Sequence, residues 1–397
     1  MNQTIDPQRR KLLAGSAALA AGSLLPASLY AQSRDPVKVG LIVPMSGPFA
    51  STGRQIAAAI KLYQKTYGNT VAGRRVEVIL RDDTGVAPDA TARIAREMVT
   101  RDKVQVLAGF GLTPLALAAA PIATQAKTPM IVMAAATSII PQRSPYIVRT
   151  SFALPQATAP LATWAVKDGI RSAVTFVADY GPGLDAEKVF VKHFTQAGGK
   201  MLDTVRTPLM NPDYAPFLQR TRDLRPDAIF IFVPSGEGAN LLKQYTERGL
   251  KQAGIRVIGT GDVLDDDLML TIGEVSDGMV TTHHYSAAHD SPMNRAYVAA
   301  FQRDNNGDRP NFMSVGGYDG IHLVYEALKK TNGDADGDKL LTAMKGMAWE
   351  SPRGPVTIDA DTRDMVQDIY FRRAQKVNGQ MWNVEFDKIA QYKDPGV

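Results

Sequence analysis

The 397-residue chain contains no cysteine. That absence removes disulfides and thiolate metal ligands, excludes the small disulfide-scaffold class, and leaves no residue for lipoprotein attachment. No HExxH pair is present to hold a zinc ion, and no GxSxG elbow to carry a nucleophilic serine. Basic residues form no long block; they alternate with acids, as in Arg101-Asp102-Lys103, so a nucleic-acid surface is not expected. The formal net charge is +5, of which Arg9, Arg10, Lys11 and Asp6 contribute +2. No low-complexity linker divides the chain either.

What is present begins at the N-terminus. Arg9-Arg10-Lys11 precedes Leu12 to Ser33, a run without a charge, in which Ala31-Gln32 offers a small residue before a cut. A basic n-region, an apolar h-region and an Ala at the cleavage position describe a secretory signal peptide. The paired arginines beside Leu12-Leu13 resemble a twin-arginine signal. The expectation is a signal over residues 1–31, cleaved after Ala31 with Leu29 at the −3 position, and a periplasmic product. The competing reading, an uncleaved membrane anchor, fits the Ala, Gly, Ser and Pro26 content of the run less well. Cleavage there would leave about 366 residues, enough for roughly two domains with separate cores.

The remaining sequence alternates between strand and helix patterns. Val37–Pro44 is a short apolar run rich in β-branched residues, and Thr52–Tyr67 carries Ile56, Ala59, Ile60 and Tyr63 at helical spacing. A strand over Val76–Leu80, a helix over Asp89–Thr100, a strand over Val104–Ala108, a helix over Pro114–Gln125 and a strand over Met130–Met133 follow. The pattern restarts after Tyr146–Leu154: helices over Pro155–Lys167, Leu184–Gln196, Tyr214–Leu224 (capped by Asp213) and Glu237–Arg248 alternate with strands over Ala173–Ala178, Lys200–Thr207, Ala228–Val233 and Ile255–Gly259. Later helices open at Ser291-Pro292 and run over Val315–Lys330, and a hairpin tail turns at Asn378-Gly379. Such alternation means βαβ units, hence an α/β protein of two doubly wound parallel-sheet halves.

Several segments together resemble one family. KVGLIVPMSGPFASTGRQ (Lys38–Gln55), GFGLTPLALAAAPIA (Gly109–Ala123), PMIVMAAAT (Pro129–Thr137), FVADYGPGLDAEKVF (Phe176–Phe190), VIGTGD (Val257–Asp262) and GGYDGIHLVYEALKKT (Gly316–Thr331) are similar, in this order, to leucine/isoleucine/valine-binding proteins, the solute receptors of branched-chain amino acid ABC importers. The resemblance implies a type I periplasmic binding protein fold with three crossovers, near Arg149–Leu154, His283–Ala287 and Ser351–Thr357. It implies an N-terminal lobe of residues 36–150 plus 287–353, a C-terminal lobe of 154–283 plus 357–390, and hinge closure on a ligand between them.

The chemistry of the site has its own logic. Ligands of open α/β sheets bind outside the carboxyl ends of strands. Gly111-Leu112-Thr113 and Ala135-Ala136-Thr137 stand at such ends, each offering a hydroxyl and backbone N–H groups suited to a carboxylate. Helix capping explains Thr113 and Thr137 equally well from sequence alone. The resemblance implies that Thr113, Ala135 and Thr137 hold a carboxylate and ammonium, that Tyr180 forms an aromatic wall, and that Asp262 takes an ammonium. Asp262 could otherwise cap a helix beginning near Leu264. Thr52 stands where amino-acid receptors tend to carry an aromatic ring, with Phe49 three residues earlier, and ASTGRQ resembles the loop of relatives that accept aromatic carboxylates. Ser235 and Glu237 are further cleft candidates, Glu237 also as a first-turn charge.

Other clusters carry less. His283 and His284 are expected to point opposite ways along an extended segment, and with His289 to serve packing between lobes rather than a metal. Asp265-Asp266-Asp267 lacks the spacing of a calcium loop and fits an acid-rich helix start. Gly109-Phe110-Gly111 begins like a dinucleotide fingerprint but meets Pro114. Asp82-Asp83 fits a solvated strand end. The expectation is therefore a monomeric, non-enzymatic receptor without cofactor that carries a small carboxylate, either a hydrophobic amino acid or an aromatic acid, to an inner-membrane ABC permease. A periplasmic sensor of the same fold and an α/β enzyme with an unrecognised nucleophile are the alternatives.

Overall fold

The computed structural model describes residues 35–397, so the signal-peptide expectation for residues 1–31 lies outside the described residues. From Val37 onward the alternation is realised. The first half runs β1 (Val37–Val43), α1 (Ala50–Tyr67), β2 (Thr70–Val71), β3 (Arg74–Asp82), α2 (Pro88–Glu97), β4 (Val106–Gly109), α3 (Thr113–Ala126), β5 (Met130–Val132) and β6 (Ile147–Arg149). The second half runs α4 (Leu154–Lys167), β7 (Ser172–Ala178), α5 (Gly181–Gln196), β8 (Lys200–Thr207), α6 (Ala215–Leu224), β9 (Ala228–Phe232), α7 (Gly238–Glu247), β10 (Arg256–Thr260), α8 (Met269–Ile272) and β11 (Val280–His283). Then come α9 (Pro292–Asp304), α10 (Phe312–Lys330), α11 (Gly337–Met344), β12 (Ala348–Ser351), β13 (Gly354–Ile358), β14 (Met365–Val377) and β15 (Gln380–Tyr392).

Two sheets result. The first has the order β2-β3-β1-β4-β5-β6 and is parallel apart from the short β2. The second has β8-β7-β9-β10-β11 parallel, continued antiparallel by β14, β13 and β12, with β15 also paired to β14. Both parallel cores share one winding: the first strand has the second on one side and the third on the other. The strand order thus reverses at β1 and again at β7, and such switch points open crevices at the carboxyl ends of their strands. The runs from Val37 to Val43 and Ala228 to Phe232 are almost wholly buried, as strands covered by helices on both faces must be.

Local sequence explains how the helices sit. Ser291 accepts from Asn294 N at the start of α9, with Pro292 at the first helical position, as its sequence signal predicts. Asn311 caps α10, so that helix begins three residues before the periodic segment. Asp213 accepts from Ala215 N, and α6 starts one residue later than expected. Two glycines let helix starts close onto strand ends. A Cβ on Gly53 in α1 would stand 1.9 Å from Pro44 O, and one on Gly183 in α5 would stand 1.8 Å from Ala178 O. No side chain fits in either place.

Three sequence expectations are corrected here. Asp83 is buried rather than solvated, accepting from Gly85 N and Thr91 Oγ1, whereas Asp82 ties down Met45 N and Ser46 Oγ. Asp265, Asp266 and Asp267 do not start an exposed helix. Asp265 and Asp266 are fully buried; Asp266 bonds Asn383 and lies 3.5 Å from Arg372, while Asp267 accepts from Ser51 and Asn311. The rings of His283 and His284 meet, with their Nδ1 atoms 2.8 Å apart, because β11 ends at His283 and the alternation of side chains ends with it.

Candidate ligand site

The carboxyl ends of both parallel cores face one cavity. Loops after β1 contribute Phe49 and Thr52; those after β4 contribute Gly111, Leu112 and Thr113; those after β5 contribute Ala134, Ala135 and Ala136. Opposite them stand Tyr180 and Pro182 after β7, Phe232, Pro234 and Ser235 from β9, and Asp262 after β10. Phe152 and Met313 complete the lining. Phe49, Thr52, Thr113, Ala135, Ala136, Tyr180, Ser235 and Asp262, singled out from sequence, line this space, whereas Thr137 and Glu237 do not. Thr137 Oγ1 lies 2.8 Å from Thr113 Oγ1, and the Thr137 carbonyl accepts from Arg149 Nη1. Thr137 stands one hydrogen bond behind the wall.

Why the cavity favours an anion follows from its helices. The N-termini of α1, α3, α5 and α10 supply Thr52, Thr113, Pro182 and Met313 to the lining. Helix starts present unpaired N–H groups and a positive dipole end. At the start of α3 the Thr113 N–H has no acceptor among the described residues, and the same holds for Ala136 N–H. Ala135 N–H, by contrast, is already given to Phe110 O at 3.1 Å, which removes it from the expected carboxylate donors. Gly181 brings α5 against this corner: a Cβ there would stand 3.6 Å from Thr137 Oγ1.

Asp262 brings an acceptor to the lining. Asp262 lies inside the short 3-10 turn Gly261–Leu264, not at the cap of a helix starting near Leu264. Its Oδ2 accepts from Thr260 Oγ1 at 2.8 Å and faces His283 Nε2 at 3.6 Å. Ser235 Oγ bonds Asp265, whose carboxyl is pushed well above the usual range by burial and then by Asp267. Glu237 accepts from Tyr214 OH at 3.3 Å and does not line the cavity. Rings form part of the wall: Tyr180 stacks on Phe232 with centroids 6.2 Å apart and planes 19° off parallel. Burial and then Asp262 hold the Tyr180 phenol above its ordinary range, so it stays a neutral donor.

Sequence reasoning missed Phe152, Phe232, Pro234, Pro182, Ala134 and Met313. Phe232 and Pro234 end a strand at a switch point, and that rule could have found them. Met313 had no local signal, since it arrives from a helix far along the chain. Among the described residues no group of His, Cys, Asp or Glu could hold a metal ion.

Residues 36–380 match the family model described as "Periplasmic binding protein", and the chain belongs to that family. It is a periplasmic substrate-binding protein of the kind that serves ABC importers, and among the described residues no helix is long and apolar enough to cross a membrane. A Brucella abortus protein named Leu/Ile/Val-binding protein homolog 6 is 42% identical over 96% of this chain and 97% of its own. A solute-binding protein of an ABC transporter from Rhodopseudomonas palustris BisB5, solved with 3,4-dihydroxybenzoic acid, is 59% identical with a TM-score of 0.89, covering 91% of this chain and 99% of that one. A second, from R. palustris HaA2 with p-hydroxybenzoic acid, is 41% identical with a TM-score of 0.88 over 91% of this chain and 99% of that one.

Proposed function

We propose that this receptor binds a hydroxylated benzoate between its lobes, releases it unchanged to an inner-membrane ABC permease, and works as a monomer. The observation that carries this reading is the mix of chemistry lining one cavity: Thr113 with open N–H groups, the rings of Phe49, Phe152, Tyr180 and Phe232, and the carboxylate of Asp262. Flat apolar walls suit an aromatic body, with a few placed polar groups setting its orientation. The bound benzoates of the two R. palustris proteins support the same ligand class. An α-amino acid, as the name of the Brucella relative suggests, would set its ammonium on Asp262 and leave the aromatic walls underused. The lobes are residues 36–150 plus 287–353 and 154–283 plus 357–390, closing like a hinge; β12, at the end of the former, is the edge strand of the second sheet, paired with β13.

Titration calorimetry with 3,4-dihydroxybenzoate, 4-hydroxybenzoate, benzoate and leucine tests the ligand class. Binding of either hydroxybenzoate at least about tenfold tighter than leucine is expected, a difference of about 1.4 kcal/mol. Small-angle scattering at saturation should show a smaller radius of gyration. Leucine binding tighter than every benzoate, or a bound benzoate recovered chemically altered, would overturn the reading.

Export is proposed to use the twin-arginine signal at Arg9-Arg10 with cleavage after Ala31. Replacing both arginines by lysine should leave precursor in the cytoplasm on fractionation. An undiminished periplasmic pool from that double variant would count against it.

A further inference from the structure

We infer that His283 is a positioning residue for ligand selection: it presents an N–H to Asp262, leaving that carboxylate one open oxygen suited to a neutral ring hydroxyl. The inference rests on the hydroxybenzoate reading above and adds the device by which the site tells a hydroxylated ring from a bare one.

The proton positions follow from the hydrogen bonds. The backbone N–H of His284 can only donate, and it reaches His283 Nδ1 at 3.0 Å. Nδ1 of His283 is therefore an acceptor. The 2.8 Å approach of His284 Nδ1 to the same atom requires that His284 Nδ1 carry a proton as well. Burial holds the His283 imidazole down at about 4, with Asp262 pulling the other way and Arg372 and Arg353 adding to the depression. His284 is held well below its ordinary range by burial and by His283. Both rings are thus neutral at pH 7, and the single proton of His283 sits on Nε2.

That N–H has one place to go. His283 is completely buried, and its ring is clamped by Phe312 at 4.1 Å and Phe152 at 4.5 Å between centroids. Nε2 has no hydrogen-bond partner among the described residues, and the acceptor it faces is Asp262 Oδ2 at 3.6 Å. A buried donor left unpaired is costly, so a small inward shift of Asp262 is favoured when a ligand occupies the cavity. Gly261 makes the approach possible: a Cβ there would stand 2.2 Å from both the His283 ring and Arg372 Nη2.

The consequence is selectivity. With Thr260 Oγ1 and His283 Nε2–H both directed at Oδ2, only Oδ1 remains for a ligand, and the neighbouring N–H dipole offsets part of the carboxylate charge. One oxygen satisfies one hydroxyl proton. An ammonium brings three protons and a full charge, and this corner offers it a single, partly neutralised acceptor. A benzoate without a hydroxyl leaves Oδ1 desolvated and unpaired.

The test measures a ratio rather than an affinity. For the purified wild-type protein, 4-hydroxybenzoate should bind at least about tenfold tighter than benzoate. His283→Leu removes the N–H at similar volume, and the preference should fall to about threefold or less, whatever the absolute affinities. His283→Gln, which can return an N–H to the same place, should restore it. A merely structural role would weaken both ligands alike and leave the ratio intact, and that result would overturn the inference. Should His283→Leu fail to fold, long-range ¹H–¹⁵N NMR of the wild-type histidines decides: an Nε2–H tautomer for His283 is required, and an Nδ1–H tautomer would overturn it. If wild type binds neither benzoate, the ligand reading itself fails, and the two failures are distinct.

Discussion

Arg353→Leu should destabilise the protein by about 3–5 kcal/mol, the cost of breaking a buried ion pair and leaving one partner uncompensated. Arg353 and Asp319 are both completely buried and joined at 2.5 Å and 2.9 Å. The same guanidinium donates to Thr150 O, Ser151 O and Gln367 Oε1, so it ties α10 to the segments after β6 and β12 and to β14. Trp349 and Ser351 also donate to Asp319, but neither supplies a positive charge. Denaturant unfolding should show a lower midpoint at unchanged slope. Adding Asp319→Leu should recover part of the loss, because the orphaned carboxylate is then gone. A loss below about 1 kcal/mol for the single variant would mean that the network is redundant.

Thr113→Val should weaken hydroxybenzoate binding by about ten- to a hundredfold, or about 1.5–3 kcal/mol, the range for a hydrogen bond to a charged group. The substitution keeps the volume and removes the hydroxyl at the start of α3, together with its 2.8 Å partner contact to Thr137. Thr137→Val should cost less, because Thr137 acts through Thr113 and does not line the cavity. Calorimetric titration of the two variants checks the order of effects. Equal losses, or wild-type affinity for Thr113→Val, would place the carboxylate elsewhere.

The same contrast shows what a linear reading can and cannot reach. Thr113 was legible because it follows a strand that periodicity identifies, and strand ends at a switch point are where cavities form, whereas Tyr180 and Asp262 were reached through the family resemblance. Thr137 shares that local context yet does not line the cavity, since reaching it depends on how two adjacent loops stack. The histidines were misread for a related reason. Alternation holds within a strand, and nothing in Thr282-His283-His284 announces that β11 ends between the two rings. The acids at 265–267 looked like a charged helix start because sequence carries no measure of burial; Asn383, Asn311 and Ser51, which pair with them, arrive from distant segments.

By itself the sequence determined the period of its elements, hence two parallel cores wound in the same way and the identity of most residues at their carboxyl ends. These are local quantities: hydrophobic spacing, β-branched runs, and the Ser291-Pro292 and Asn378-Gly379 signals. The tertiary structure alone decided that the two sets of strand ends face one cavity, that Phe152 and Met313 join it, and that Arg353 binds Asp319. It also decided which donors remain open, leaving Thr113 and Ala136 N–H free and spending Ala135 N–H on Phe110. The physical reason is that burial, electrostatics and hydrogen-bond satisfaction depend on atoms brought together across long stretches of chain, and those distances exist only once the chain has packed.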